Sequence, residues 1–192
     1  MLATQKNNLG VQDMNDERPR LFVDMDGTLA EFDPTKTIED LYQPGYFQNL
    51  KPNINVVRGI KNLLERKQSD VYILSAYLSD SKYALREKKE WIKRYIPELK
   101  PERLIFLPCG RDKAQHIRDK FYLNSLRRTD ILLDDHSPNL LAWELAGGRG
   151  IKLINSINGR GEKWTGERIS YEIVTFATDL TEMITDKTID ER

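Results

Sequence analysis

The chain has 192 residues, 39% of them apolar, and its 30 basic side chains balance 30 acidic ones. That length suits one domain with a small insert and a sizeable core, and the neutral balance supplies no overall field for polymeric nucleic acid or a membrane surface. A single cysteine, Cys109, excludes an internal disulfide; no apolar run reaches the roughly 20 residues that span a bilayer, and the N-terminus lacks the apolar stretch of a secretory signal, so a cytoplasmic protein is expected.

Residues 1–19 are polar and without period, which predicts a poorly ordered arm. Leu21-Phe22-Val23 then runs into Asp24-Met25-Asp26-Gly27-Thr28-Leu29, which reads as a buried strand over 20–24 with two carboxylates at its tip. Gly27 frees the backbone to turn there, although Asp and Gly are also ordinary residues of a surface turn. From Ala30 to Asn53, aromatic and aliphatic residues are scattered among Pro34, Pro44, Gly45 and Pro52, which predicts a small cap insert over 33–53 with one short helix near 36–42. The core would then comprise 20–32 and 54–192. Val56, Val57, Ile60, Leu63 and Leu64 recur at helical spacing and predict a crossover helix over 54–67. Asp70 to Ser75 is the second strand, and a helix over 81–95 follows, capped by Ser79 or Ser81 and stopped by Pro97. Arg103 to Leu107 is the third strand, and Lys113 opens a helix over 112–121.

Thr129-Asp130-Ile131-Leu132-Leu133-Asp134-Asp135 is the fourth strand, again apolar running into acid. Ser137 is expected to cap the next helix, with Pro138 at its first position and Gly147-Gly148 past its end. The fifth strand is 151–155. A glycine-rich loop over 156–168 follows, then a short extended piece and a helix near 176–185. Trp91 and Trp143 are assigned to the core, whereas Trp164, in the loop, is placed to reach a cleft; Cys109 reads as a small apolar filler. Strands alternating with helices five times predict an α/β fold: a doubly wound, parallel, five-stranded Rossmann-like sheet with the small cap after strand one.

In such a sheet the carboxyl ends of all strands share one edge. Asp24 and Asp26, Ser75, Lys113, and Asp134 with Asp135 can therefore meet in one crevice. Four carboxylates there repel, each pair by roughly 4 kcal/mol at 4 Å and an effective dielectric near 20. A divalent cation relieves this; the hard oxygen donors suit Mg²⁺, and the absence of a nearby Cys or His pair argues against Zn²⁺. A cation, a Ser hydroxyl and a Lys ammonium together make a receiving set for a phosphoryl group. Asp24 can attack phosphorus to give an aspartyl-phosphate, and Asp26 can protonate the leaving oxygen and later take a proton from water. Each residue also has a plainer reading: Ser75 as a strand-end polar residue, Lys113 as a solvated helix residue, and Phe32, Tyr42, Tyr46 and Phe47 as core. His116 and His136 are not read as ligands, although His136 follows the acidic pair closely enough to influence it.

Asp24-x-Asp26-x-Thr28, strand-ending Ser75, Lys113 and the Asp134-Asp135 pair, in that order over about 20–155, resemble the haloacid dehalogenase-like (HAD-like) phosphohydrolase superfamily. The resemblance implies that Asp24 is nucleophile and Mg²⁺ ligand, and that Asp26 is acid/base and a ligand through its main-chain carbonyl. It makes Asp134 the third ligand and has Asp135 support metal-bound water. The second Asp of the first motif is the phosphatase form. More narrowly, Asp24 to Phe32, Arg111-Asp112-Lys113 and Ile131 to Asp135 are similar to the 5'(3')-deoxyribonucleotidases, and Gly45-Tyr46-Phe47-x-x-Leu50-x-Pro52 resembles the end of that family's cap. The likeness implies a base pocket at Phe32, with Tyr46 and Phe47 as further substrate contacts. That family's cap is a larger helical bundle, whereas only 51 positions separate Asp24 from Ser75 here. The expected function is a Mg²⁺-dependent 5'-nucleotidase acting on (deoxy)nucleoside monophosphates. The rivals are a phosphatase for a sugar phosphate or other small metabolite, and a non-catalytic nucleotide- or phosphate-binding protein.

Overall fold

The computed structural model describes residues 18–158 and 164–186. The expected N-terminal arm lies outside them up to residue 17, as do Gly159 and Gly161 of the glycine-rich loop. Six parallel strands form one sheet: β1 (Arg20–Val23), β2 (Asp70–Tyr77), β3 (Leu104–Pro108), β4 (Asp130–Asp134), β5 (Arg149–Ile154) and β6 (Glu167–Ser170), in the order β3-β2-β1-β4-β5-β6. The expected count was five. The extra strand is the extended piece near Ile169, which pairs with β5 from Ile151↔Glu167 to Ile154↔Ser170. Such pairing depends on a neighbour, not on local pattern, which is why this strand escapes a reading by periodicity.

Because β1 is central, both of its faces are covered. Leu21 and Val23 belong to one apolar cluster with Val57 and Ile60 of α2 (Ile54–Arg66), Trp91 and Ile92 of α3 (Ala84–Tyr95), and Phe176 and Leu180 of α6 (Phe176–Thr185). Phe22 faces the other cluster, with Ala114 and Ile117 of α4 (Lys113–Phe121) and Leu140 and Trp143 of α5 (Ser137–Leu145). Side chains that alternate along a strand thus sort onto two helix layers. Gly59 lets α2 and α6 approach: a Cβ there would lie 2.7 Å from the Phe176 ring.

The segment between β1 and α2 holds α1 (Ile38–Leu41) and a 3-10 turn over Phe47–Asn49. Thr37 and Asp40 close a reciprocal capping box on α1. Among the described residues no helix is long and apolar enough to cross a membrane.

Four local expectations are corrected. The helix after β2 begins at Ala84, with Tyr83 in the cap position and no side-chain cap; Ser81 Oγ accepts from the Tyr83 and Ala84 amides in the turn that leads into it. Ser137 is the first residue of α5, not its cap; its hydroxyl meets Lys152 at 2.6 Å, and His136 holds the cap position. Trp164 is buried in the second cluster against Gly150, its indole N–H donating to the Glu167 carbonyl at 2.8 Å. Cys109, just past the end of β3, is exposed rather than filling a gap.

Candidate active site

Parallel register decides which acids meet. Val23 of β1 lies level with Leu133 of β4, so the next residues, Asp24 and Asp134, stand side by side at the strand tips. The Asp24 amide donates to the Leu133 carbonyl at 2.9 Å, the last rung between the two strands. Both side chains continue the Phe22 and Leu132 face, so they meet the helix layer that contains α4. Asp112 caps α4 by accepting from the Ala114 and Gln115 amides, which delivers the next residue, Lys113, to the sheet edge. Lys113 Nζ bridges the two acids, 2.5 Å from Asp24 Oδ1 and 2.7 Å from Asp134 Oδ2. All three side chains are buried.

Gly27 sits at φ +79°, and a Cβ there would fall 2.3 Å from Asp135 Oδ2, so backbone conformation and the approach of Asp135 both require glycine. Asn155 Nδ2 ties the two parts together, donating to the Gly27 carbonyl at 2.8 Å and to Asp135 Oδ2 at 3.0 Å. Asn158 Nδ2 holds the Asp135 carbonyl at 2.9 Å. Asn139 Nδ2 and the His136 amide complete Asp134, at 3.0 and 2.8 Å. These three asparagines were absent from the expected site; a neutral amide in a loop, as at Asn155 and Asn158, or in the first turn of a helix, as at Asn139, carries no pattern that distinguishes it from a turn or capping residue.

Electrostatics follow from burial and crowding. Burial raises the Asp24 carboxyl to about 7; Lys113 pulls it down, while Asp134 and Asp26 add to the rise. Burial, then the charges of Asp24 and Asp134, raise Asp135 to about 7 as well. For Lys113 burial works against the charge, but Asp134 and Asp24 hold it above the ordinary lysine value. Carboxylate oxygens of Asp24, Asp134 and Asp135 lie within 4.8 Å of one another. Asp26 Oδ1 is buried without a protein partner among the described residues. With all four acids ionised, the ammoniums of Lys113 and Lys88 leave two negative charges. Crowded hard oxygens with that balance fit a divalent cation such as Mg²⁺.

A charged residue also absent from the expected site is Lys88. It lies in α3, 1% exposed, and its Nζ donates to Asp26 Oδ2, to Ser75 Oγ at 3.0 Å and to the Ala76 carbonyl at 2.6 Å. Ser75 is fully buried and shares the Ile73 face, the side on which α3 packs. A signal existed: Ala84, Glu87, Lys88, Trp91 and Ile92 are spaced i, i+3, i+4, i+7, i+8, so the inward stripe of α3 contains two charges. The two lysines divide the site, Lys113 serving Asp24 and Asp134 from one face of the sheet and Lys88 serving Asp26 and Ser75 from the other.

A cleft of about 630 Å³ lies within the 31–51 segment and is lined by Glu31, Phe32, Asp33, Asp40, Tyr46 and Asn49, among others, but by none of Asp24, Asp26, Asp134 or Asp135. A smaller cavity of about 150 Å³ joins Gly27, Glu31 and Phe32 to Asn155 and Tyr171. Phe32 borders both. The Tyr46 hydroxyl is buried without a partner among the described residues, and burial with the charges of Asp26, Asp33 and Asp40 raises its pKa. Phe47 is 4% exposed; its ring stands edge-on to Tyr46 at 4.9 Å and 4.8 Å from Lys88 Nζ, so it packs against the site lysine and not on the cleft. His136 contributes only its backbone amide to Asp134.

No protein-family model matches the chain. Two curated proteins of Staphylococcus epidermidis strains, both named "Putative 5'(3')-deoxyribonucleotidase", are 29% identical over 130 residues and 30% identical over 118 residues. The matches take in 68% and 62% of this chain but only 60% and 55% of those proteins. Among solved structures, a D,D-heptose 1,7-bisphosphate phosphatase from B. bronchiseptica, complexed with magnesium and phosphate, superposes with a TM-score of 0.62 at 14% identity, covering 86% of this chain and 99% of that one. A HAD family hydrolase from Deinococcus radiodurans superposes at 0.55 and 9% identity, covering 88% and 98%. The chain is thus similar in sequence to proteins named for 5'(3')-deoxyribonucleotidase, and it shares its fold with solved phosphatase and HAD family hydrolase structures.

Proposed function

We propose that the chain is a Mg²⁺-dependent phosphomonoesterase, and that its substrate is a nucleoside monophosphate. The observation that carries this is the pairing of Asp24 with Asp134 at level strand tips, bridged by Lys113, with Asp26 two residues on. Asp24, Asp134 and the Asp26 main-chain carbonyl would hold the cation, with Asp135 beside them. When bound, it supplies charge that neutralises the acids and the incoming phosphate.

The chain's own residues do the rest. Lys113 and Ser75 orient phosphate oxygens. Asp24 forms a bond to phosphorus as the bond to the leaving oxygen breaks, and Asp26 gives that oxygen its proton. Water then attacks the aspartyl-phosphate, giving its proton to Asp26 and freeing Asp24. In this reading the 33–53 segment is a cap, Phe32 and Tyr46 face the leaving group, and Phe47 acts through its packing. A cleft of about 630 Å³ within the 31–51 segment, bordered by Phe32 and Tyr46, suits a nucleoside in volume, and the relatives' name supports that choice.

The test is phosphate release from a panel of nucleoside monophosphates and sugar phosphates, with and without Mg²⁺, for the native chain and Asp24→Asn. Mg²⁺-dependent release from nucleotides, lost in Asp24→Asn with an unchanged circular dichroism spectrum, is expected. Release confined to sugar phosphates would retain the chemistry and overturn the nucleotide. Turnover by Asp24→Asn would overturn the nucleophile.

A further inference from the structure

Three acceptors surround the Lys88 ammonium: a carboxylate oxygen of Asp26, the Ser75 hydroxyl at 3.0 Å and the Ala76 carbonyl at 2.6 Å. Three donors are thereby satisfied, and the Phe47 ring lies 4.8 Å away. A lysine 1% exposed is costly to bury unless its charge is used. Resting on the reading of Asp26 as acid/base, we infer that Lys88 is the positioning residue for Asp26: it tethers one oxygen, Oδ2, and thereby leaves the other, Oδ1, as the oxygen that exchanges a proton with the leaving group. Oδ1 is the oxygen without a protein partner among the described residues.

The tether is stiff because α3 is itself clamped. Glu87 accepts from the Gly45 amide at 2.6 Å and the Phe47 amide at 3.2 Å; Trp91 Nε1 donates to the Leu50 carbonyl at 2.8 Å, and Arg94 to the Gln48 carbonyl at 3.1 Å. One helix thus grips residues 45–50 by their backbone and Asp26 by its side chain. Lys113 does not duplicate this role, since its contacts go to Asp24 and Asp134.

Leaving-group dependence separates positioning from general damage. A nitrophenolate departs without a proton; a nucleoside alkoxide does not. With the full chain and Mg²⁺, Lys88→Met should lower kcat on a nucleoside monophosphate about 10²- to 10³-fold, the range of a lost general acid, and at least about tenfold further than on p-nitrophenyl phosphate. Asp26→Asn should show the same skew, Asp24→Asn should lose both activities, and Lys88→Arg should recover most of the nucleotide rate. Equal losses on both esters would overturn the assignment. If Lys88→Met does not fold, Lys88→Gln, which keeps a donor, carries the same pair of rates. A crystal structure of the variant separates this inference from the functional reading: Asp26 swung from its present orientation supports the tether whatever the activity, and Asp26 unmoved overturns it.

Discussion

At the scale of single residues, the site is built by close approach as much as by charge. Gly27 has no room for a side chain, because its φ of +79° and the Asp135 carboxylate 2.3 Å from a would-be Cβ act together. Gly27→Ala should therefore cost about 2–3 kcal/mol, from backbone strain and displacement of Asp135. A urea titration measures the stability. A loss under about 0.5 kcal/mol would mean that the loop relaxes freely. Asn155 tells a similar story, since one amide joins the Gly27 carbonyl to Asp135. Asn155→Ala should leave Asp135 less ordered and weaken Mg²⁺ binding roughly tenfold, the lower end for loss of an outer-sphere partner, read by isothermal titration of the metal. The acids, the glycine and Lys113 were legible in sequence because each follows a strand or opens a helix; the asparagines were not, because their partners are defined only by what folds against them, and Lys88 showed only as a charge on the inward stripe of α3, without its partner.

At the scale of elements, α3 is the piece that ties the 45–50 segment to the sheet. Glu87→Ala would leave the Gly45 and Phe47 amides without their acceptor. Buried unsatisfied donors of this kind cost about 1–3 kcal/mol each, and at roughly 2–4 °C per kcal/mol for a chain of this size, a drop in Tm of about 5–10 °C is expected. Glu87→Gln, which keeps an acceptor, should lose less. Equal Tm values for the native chain and Glu87→Ala would show that the clamp is dispensable. The start of β4 makes a second test. Burial pushes the Asp130 carboxyl up, but hydrogen bonds from Arg20 at 2.6 and 2.8 Å and from the Arg127 amide win, and hold it below its ordinary 3.8. A depressed carboxyl contributes stability that is complete above the unfolded value, near pH 4, and is lost as the pH falls through the folded one. Asp130→Asn should therefore be less stable than the native chain at pH 6, and the gap should narrow below pH 4 in acid unfolding curves.

At the scale of the molecule, four carboxylates converge where strands end, and the fold contributes two lysines against them. Without a cation, Asp24 and Asp135, both raised to about 7, are stabilised as the neutral acid in the fold. Such groups favour the folded state below their unfolded value, and that contribution fades as the pH rises through 7. Mg²⁺ should act most where the acids are ionised: at pH 8, a concentration about 100-fold above its Kd should stabilise by about 2.7 kcal/mol, or roughly 5–10 °C in Tm, and much less at pH 5. Asp134→Asn should abolish the increment, which differential scanning calorimetry reads directly. Stabilisation by Mg²⁺ that is equal at pH 5 and 8 would place the ion elsewhere.

The sequence by itself determined the alternation of strands and helices, the first five strands, and the acids, serine and lysine that follow them, because hydrophobic period and turn chemistry are local properties of the chain. It also carried a resemblance that two sequence relatives match by name and the solved structures match in fold. Only the tertiary structure decided which charges meet. Asp24 meets Asp134 through strands 110 residues apart that pair in register, and Asp26 meets Lys88 across 62 positions because α3 packs on the face that Ser75 shares. The sixth strand, the burial of Trp164 and the loop asparagines belong to the same class. In each case the energy comes from a neighbour brought close by chain topology, so no window of sequence around the residue contains the information.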